Sequence, residues 1–464
     1  MPTECSGDRF EFARVEGRAV VASFEGGAIT TDAGALLLGA TDRAIGLVRR
    51  FASCFVDHRT PERVEHSLAT LVGQRVLALA LGYEDLVDHD HLRHDPVLAA
   101  VSGKLTARRA DCAALAGKST LNRLEHAPAG EPSRYHRIGH DGAAIERLLV
   151  ELFLEAHATP PVEIVLDLDA TDDPLHGSQE GRFFHGYYGC YCYLPLYVFC
   201  GDHLLAAKLR RSSIDASAGA VAEVARLVAQ IRSRWPDVQI VLRADSGFAR
   251  EELMRWCEAN QVEYVLGLAR NPRLVREIAS ELGQARAAAE ETGKAARCFR
   301  DFRYQTLDTW SRERRVVGKA EQLVAGDGAT SANPRFVVTS LRPGEWAPKP
   351  LYEQLYCARG EMENRIKECQ LDLFADRTSA RTMRANQLRL WFASMAYVLL
   401  AALRRIALPA TRLAQATAGT IRLKLLKIGA LVRVSVRRVT VAMASGHPWQ
   451  RDWTIAYRAL TAAG

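Results

Sequence analysis

Two hydrophobic periods divide the chain. Over residues 1–155 apolar positions recur at helical spacing. Thr31-Asp32 stands where a cap would start a helix through residues 33–38, and Pro61 opens an amphipathic stretch over residues 62–81. Residues 114–125 place a turn at Gly117 before a segment that Ser119 could cap, the arrangement a helix-turn-helix needs. From residue 161 the period shortens. Strands are predicted over 162–169, 187–200, 204–210, 239–244 and 263–269, with helices over 216–234 and 251–260. Gly186, Gly189 and Gly201-Asp202 punctuate the early strands as hairpin turns. Over 285–345 the pattern breaks into short β-like pieces, which read as an insertion. A helix resumes near Pro350 and runs past Glu363, and another covers 382–406. Residues 421–443 alternate Val or Leu with Arg or Lys as a basic hairpin does, with a helix as the alternative. The order is that of an α/β protein with a helical N-terminal domain and a basic C-terminal region.

Composition narrows the class. The 464 residues are 48% hydrophobic and 25% charged, which excludes disordered and fibrous proteins. The first residues hold no basic patch followed by an apolar run, so no secretory leader is expected. The longest apolar run, residues 390–403, is too short to span a bilayer, which predicts a cytoplasmic protein without membrane contact. Ten scattered cysteines fit reduced thiols, and the single close pair, Cys190 and Cys192, lacks the second pair of a zinc site. The net charge of +7 is unevenly spread. Between Asp376 and Asp452 there is no acid and there are fourteen bases, including Arg437 and Arg438, leaving 47 Lys and Arg against 54 Asp and Glu elsewhere. Such a region points to a polyanion partner, against the plainer reading of a solvated surface.

Two local patterns invite chemistry without supporting it. Gly117-Lys118-Ser119 resembles the end of a phosphate-binding loop, but Cys112 stands where that loop needs glycine. The Asp- and His-rich residues 88–94 read as a polar surface. The carboxylates further on are more informative. Asp167 and Asp169 share one face of a predicted strand, and Asp169 lies at its carboxyl end. A second apolar strand, residues 240–244, also ends on an acid, Asp245. Paired carboxylates at one sheet edge are the oxygen donors that Mg²⁺ takes. A third acid, Glu363, lies on a helical stripe with Tyr356, Arg359, Lys367 and Gln370, while Leu351, Leu355, Met362 and Ile366 form the apolar stripe. On that stripe the acid can ligate metal while the bases hold phosphate. Trp310 and Trp346 are candidates for stacking on a displaced base, against core packing.

Together these residues resemble the DDE transposases of bacterial insertion sequences, especially the insertion-sequence thirteen-eighty group. The resemblance rests on Asp169-Ala170-Thr171, Gln179-Glu180-Gly181, Gly186-Tyr187-Tyr188-Gly189, Leu194-Pro195-Leu196, Ala244-Asp245-Ser246-Gly247-Phe248, the Tyr356, Arg359 and Glu363 spacing, Ala385-Asn386-Gln387-Leu388-Arg389 and the segment 421–429. It implies a ribonuclease H-like catalytic core with a β-rich insertion. The expected domains are 1–155, helical and DNA-binding; 156–284, the first part of the core; 285–349, the insertion; 350–406, the end of the core; and 407–464, the basic region. Asp169, Asp245 and Glu363 would be the catalytic and metal-holding triad, with two Mg²⁺ ions or Mn²⁺ in their place. Tyr356, Arg359, Lys367, Arg437 and Arg438 would meet DNA phosphate, with Asp167 as an assisting acid. Gln370 stands where the family signature has lysine. The expected reaction is cleavage of double-stranded DNA at inverted-repeat ends and strand transfer into target DNA, by a homodimer in a paired-end complex near the nucleoid. A metal-dependent nuclease of the same fold and a catalytically silent DNA-binding descendant are the alternatives.

Overall fold

The computed structural model describes residues 9–126, 133–326 and 328–463. It divides into two compact units. The larger holds Gly142–Leu371 and Ala375–Ser394; the smaller holds Met1–Asp141, Asp372–Phe374 and Met395–Gly464.

The larger unit is built on a nine-stranded mixed sheet. Its strands are β1 (Glu163–Ala170), β2 (Leu196–Cys200), β3 (His203–Lys208), β4 (Gln239–Ala244), β5 (Glu263–Leu268), β6 (Ala296–Tyr304), β7 (Arg314–Val324), β8 (Thr330–Ala332) and β9 (Arg335–Thr339). They lie in the order β3-β2-β1-β4-β5-β9-β7-β6, with β8 paired to β7. β1, β4 and β5 run parallel to one another, and the remaining pairs are antiparallel. Because successive side chains alternate faces, Ile164, Leu166 and Leu168 of β1 join Ile240 and Leu242 of β4 in one core, under the helices Gly142–Glu155, Ala220–Arg234 and Glu251–Ala259. The opposite face gathers Val241, Val265, Val317 and Val337 and is closed by Leu351, Tyr352 and Leu355. Each such leucine, fully buried, contributes about 1.5–3 kcal/mol toward seating the segment that carries Glu363.

Long-range pairing reshapes what the sequence pattern predicts. Residues 285–292 lie inside a helix, Ala279–Thr292, and the β-like pieces that follow join the main sheet through β9 on β5. The strand predicted over 187–200 is two strands: Cys190–Tyr193 belongs to a small sheet with Asp173–Pro174 and Phe183–His185, and β2 begins only after Pro195. Proline has no N–H to continue a ladder. Trp310 is buried edge-on to Tyr304, and Trp346 packs against the Leu351 cluster, so both serve the core.

In the smaller unit the helix Leu68–Leu81 is capped by Ser67 and buried on every side from Thr70 onward, where the sequence predicts an amphipathic stretch. Thr31-Asp32 caps nothing. The helix Ala35–Ile45 starts from Gly34, and buried Asp32 accepts a hydrogen bond from Tyr83 and pairs with Lys427. Lys118–Glu125 starts from Gly117 without a side-chain cap, so Ser119 lies in its first turn; Asp90 instead accepts from the Lys118 N–H. His89 is buried against Gln74, while His91 and His94 of the same segment are exposed. Phe10–Val15 and Arg18–Ala22 form a hairpin within the region predicted helical. Residues 421–426 are helical, and the basic hairpin itself is Ala430–Val434 with Val439–Met443.

The helix Met383–Ala407 has 25 residues and matches the predicted 382–406 to within one residue at each end. By length and composition it could cross a membrane, but 78% of its apolar window is buried inside the protein, as in a core helix.

Candidate active site

The two strand-ending acids come to rest side by side. β1 and β4 are parallel neighbours registered through Ala244 and Leu168, and Asp245 and Asp169 each follow by one residue. This is the carboxyl edge of the parallel part of the sheet, where the β1–β4 pairing ends while Asp169 still pairs with Tyr197 of β2, and it is where α/β sheets place ligands. Each acid is fixed locally: Asp169 Oδ1 accepts from the Ala170 N–H at 2.9 Å, and Asp245 Oδ1 accepts from the Gly247 N–H at 2.9 Å.

The third acid arrives on the segment that closes this face. Its helix changes gauge along its length, with π-helical turns at Leu351–Tyr356 and Glu368–Asp372, a tight turn at Cys357–Arg359, and regular α-helix at Pro348–Pro350 and Gly360–Lys367. The even stripe predicted from Tyr356 to Gln370 is therefore not one straight row. At the end of the first irregular turn the backbone meets Arg243 on β4. It pairs with Asp167 through two nitrogens, Nη2 to Oδ2 at 2.8 Å, and its third donor, Nη1, reaches the Leu355 carbonyl. A carbonyl held from outside is less available to the helix's own ladder, a recognised origin of such bulges.

Asp167 and Arg243 are both buried, and burial pushes the Asp167 carboxyl up against the pull of Arg243. Asp167 thus pairs with the side chain that reaches the helix backbone. Further along, Arg365 pairs with Asp202 at 2.8 Å, and the Gln370 amide donates to the Asp172 carbonyl at 3.0 Å. Gln370 therefore ties the helix to the loop just after Asp169. Lys367 is exposed.

Arg359 joins the acids. Its guanidinium lies 2.6 Å from Glu363 Oε1 and 3.5 Å from Asp169 Oδ2. Burial works against its charge, but Asp169, Tyr356, Glu363 and Asp245 together hold its pKa above the ordinary guanidinium value. Burial pushes the Asp169 carboxyl up to about 7, with Arg359 pulling it down and the charges of Asp245 and Glu363 pushing it up. Tyr356 is raised by burial and feels both Arg359 and Asp245. Its hydroxyl occupies space that exists because residue 267 on β5 is glycine: a Cβ there would lie 2.5 Å from that oxygen and 2.8 Å from the Ser246 nitrogen.

Asp169, Asp245, Tyr356, Arg359 and Glu363 are thus brought into one electrostatic cluster, and the Glu363 side chain, 44% exposed, leaves it open to solvent. Arg437 and Arg438 are exposed at the tip of the basic hairpin in the smaller unit. Sequence reasoning missed Arg243 and Gly267, although each left a signal: a charge inside an apolar strand, which needs a partner, and a glycine inside another, which marks close approach.

Among the described residues, no group of three His, Cys, Asp or Glu side chains stands in a metal-holding arrangement as they lie here. The donor chemistry nevertheless fits a hard divalent cation, since a buried carboxylate with two further acids acting on it calls for positive charge, and Arg359 supplies some of it here. A family model for the transposase DDE domain, group 1, matches residues 12–464. No curated protein matches the chain.

Proposed function

The chain belongs to the transposase DDE domain family, and on that premise we propose that it cuts DNA at the ends of an insertion sequence of the thirteen-eighty group and joins them to target DNA. The observation that carries the reading is the placement of Asp169 and Asp245 at adjacent parallel strand ends, with Glu363 linked to Asp169 through Arg359. A core of three antiparallel strands, β1 to β3, followed by β4 and β5 parallel to β1 supports a ribonuclease H-like fold. In this reading residues 156–284 and 350–406 supply the catalytic core, and residues 1–155 and 407–464 hold DNA. Pairing two ends requires two copies of the chain.

Asp169, Asp245 and Glu363 would hold Mg²⁺ or Mn²⁺, two ions in all. When bound, such ions activate a water or 3′-hydroxyl and stabilise the departing oxygen. The chain's own groups place the substrate. Arg359 presents a planar cationic fork suited to two phosphate oxygens. The Tyr356 hydroxyl, held beside Asp245, can donate to the same phosphate. Phosphoryl transfer asks for little beyond such positioning and charge.

A supercoiled plasmid carrying the DNA that flanks the gene tests the proposal. With purified protein and Mg²⁺, nicks leaving 3′-hydroxyls and joined strand-transfer products are expected, and neither without divalent ions. Nicks that never yield joined products would identify a nuclease. Binding without any nick would identify a silent descendant.

The Asp169 environment sets the pH response. With its carboxyl at about 7 while no ion is bound, protonation removes a cation ligand as pH falls, so nicking should decline toward acid pH with a midpoint below that value. A cation competes with the proton, so raising Mg²⁺ should move the midpoint down. Arg359→Gln, removing the group that lowers the Asp169 pKa, should move it up. Rates measured on both sides of that value check the two directions, and a midpoint indifferent to Mg²⁺ would separate Asp169 from the ion.

The basic region divides into structural and exposed charges. Arg412 pairs with Asp452, Lys427 with Asp32, and Arg404 is buried, so truncation would damage the smaller unit's fold. Arg433, Arg437 and Arg438 are exposed on the hairpin. Changing all three to alanine should flatten the plot of log affinity against log salt for duplex DNA, by about 0.9 for each phosphate that is no longer neutralised. An unaltered slope would make the hairpin a solvated surface.

A further inference from the structure

Immediately beyond β1 the chain leaves the main sheet and builds the small one, Asp173–Pro174, Phe183–His185 and Cys190–Tyr193. Its root is firmly held. Tyr193 is fully buried and its hydroxyl donates to the Glu180 carbonyl; Ser212 Oγ donates to the Cys192 carbonyl at 2.7 Å; the Glu180 N–H donates to the Arg381 carbonyl at 2.8 Å. Its outer part is apolar and open, with Phe183 49%, Phe184 50%, Tyr187 87% and Tyr191 44% exposed.

These side chains are ordered by the ladder. Phe184 is registered directly opposite Tyr191, which puts both on one face, with ring centroids 5.5 Å apart. The Arg182 guanidinium lies 4.5 Å from the Tyr191 ring centre. Tyr187 projects from the turn between the strands and meets Tyr188 edge-on, and the Tyr188 hydroxyl lies 3.5 Å from the carbonyl of Ala170, the residue after Asp169. An arginine and several exposed aromatic rings are thus held on a rigid sheet that begins next to a proposed catalytic acid.

We propose that this small sheet is a stacking platform for unpaired DNA bases beside the cleavage site, with Arg182, Phe184, Tyr187 and Tyr191 as the contact residues. The inference rests on the assignment of Asp169 to a DNA-cutting site. The occupant follows from position and chemistry. The platform adjoins the acids that would act on a phosphodiester, and every base offers a π-face to aromatic rings and to a guanidinium plane, whatever the sequence. Strands that must be cut near a duplex end expose such faces when bases leave the stack. The two tryptophans of the main sheet are committed to its core, whereas this set is open to solvent.

Full-length protein without divalent ions, titrated with an oligo-dT of about 16 nucleotides and with a fully paired duplex, tests the proposal independently of cleavage. Phe184→Ala/Tyr191→Ala should weaken oligo-dT binding about tenfold or more and leave duplex affinity within about twofold, since phosphate contacts dominate there. Tyr191→Phe, which keeps the ring, should bind as the parent does. Should the double variant melt early, Tyr187→Ala, at the exposed turn, takes its place, read by the quenching of 2-aminopurine in a splayed-end duplex. Equal loss on both DNAs, no loss on either, or a loss of self-association in place of oligo-dT binding would overturn the platform. Failure of the plasmid assay with normal oligo-dT binding would instead count against the transposase reading alone.

Discussion

Asp169→Ala, Asp245→Ala and Glu363→Ala proteins are expected to leave plasmid DNA uncut, with nicking down by about a thousandfold or more, while binding duplex DNA as the parent does. Each substitution removes an oxygen donor from the proposed ion site. The loss of several kcal/mol of charge stabilisation is a factor of ten for about every 1.36 kcal/mol. None removes a positive charge, so phosphate affinity should stand or rise. Asp167 is the control within the same strand. Its carboxylate is spent on Arg243, so Asp167→Asn should act through stability and helix placement, leaving measurable nicking. A gel assay of nicked against supercoiled plasmid, beside a duplex-binding titration, reads both properties. Full activity in any of the three alanine proteins would overturn the assignment.

The second large effect is expected at Arg243, which touches no proposed DNA contact. Arg243→Ala leaves the buried Asp167 carboxylate uncompensated and withdraws the donor from the Leu355 carbonyl. Removing one partner of a buried ion pair costs about 3–5 kcal/mol, which for a unit of this size lowers the melting temperature by roughly 10 °C. Nicking should fall further than stability alone explains, because the segment bearing Arg359 and Glu363 loses a tie to the sheet. A double variant, Asp167→Leu/Arg243→Met, should recover much of the melting temperature, since the unpaired charge is gone, yet little of the nicking. Recovery of both together would show the pair to be structural only.

What could be read from the sequence depended on how far apart the partners lie. Asp169 and Asp245 were legible because each ends an apolar run whose alternation announces a strand, and parallel neighbours align their ends. Glu363 was legible from its stripe and from the resemblance. The gauge change in its helix was not, and the side chain that meets it there, Arg243, lies on a strand more than a hundred residues earlier. Asp32 reads locally as a cap, and only its pairing with Lys427 reveals it as a buried anchor. The strands after residue 292 carry their own pattern, but nothing in it says that β9 will add to β5 and extend the sheet. The hairpin near the N-terminus was different: Phe10, Phe12 and Arg14 alternate with other residues up to Glu16-Gly17, both of which adopt positive φ, so the turn signal was present and outweighed by the helical texture that follows.

The hold of Arg243 on the Leu355 carbonyl also orders events in time. An isolated peptide covering residues 348–371 has no such outside donor, and its backbone can close an uninterrupted ladder of its own. The irregular turn gains its partner only when β4 is in place, and β4 is joined to β1 through β2, β3 and the helix Ala220–Arg234, a non-local pairing of the kind that forms slowly. The spacing of Arg359 and Glu363 relative to Asp169 is therefore expected to be set late, after β1 and β4 have paired. A chain in which β4 has not yet met β1 would carry all three acids without the spacing that the proposed cutting needs.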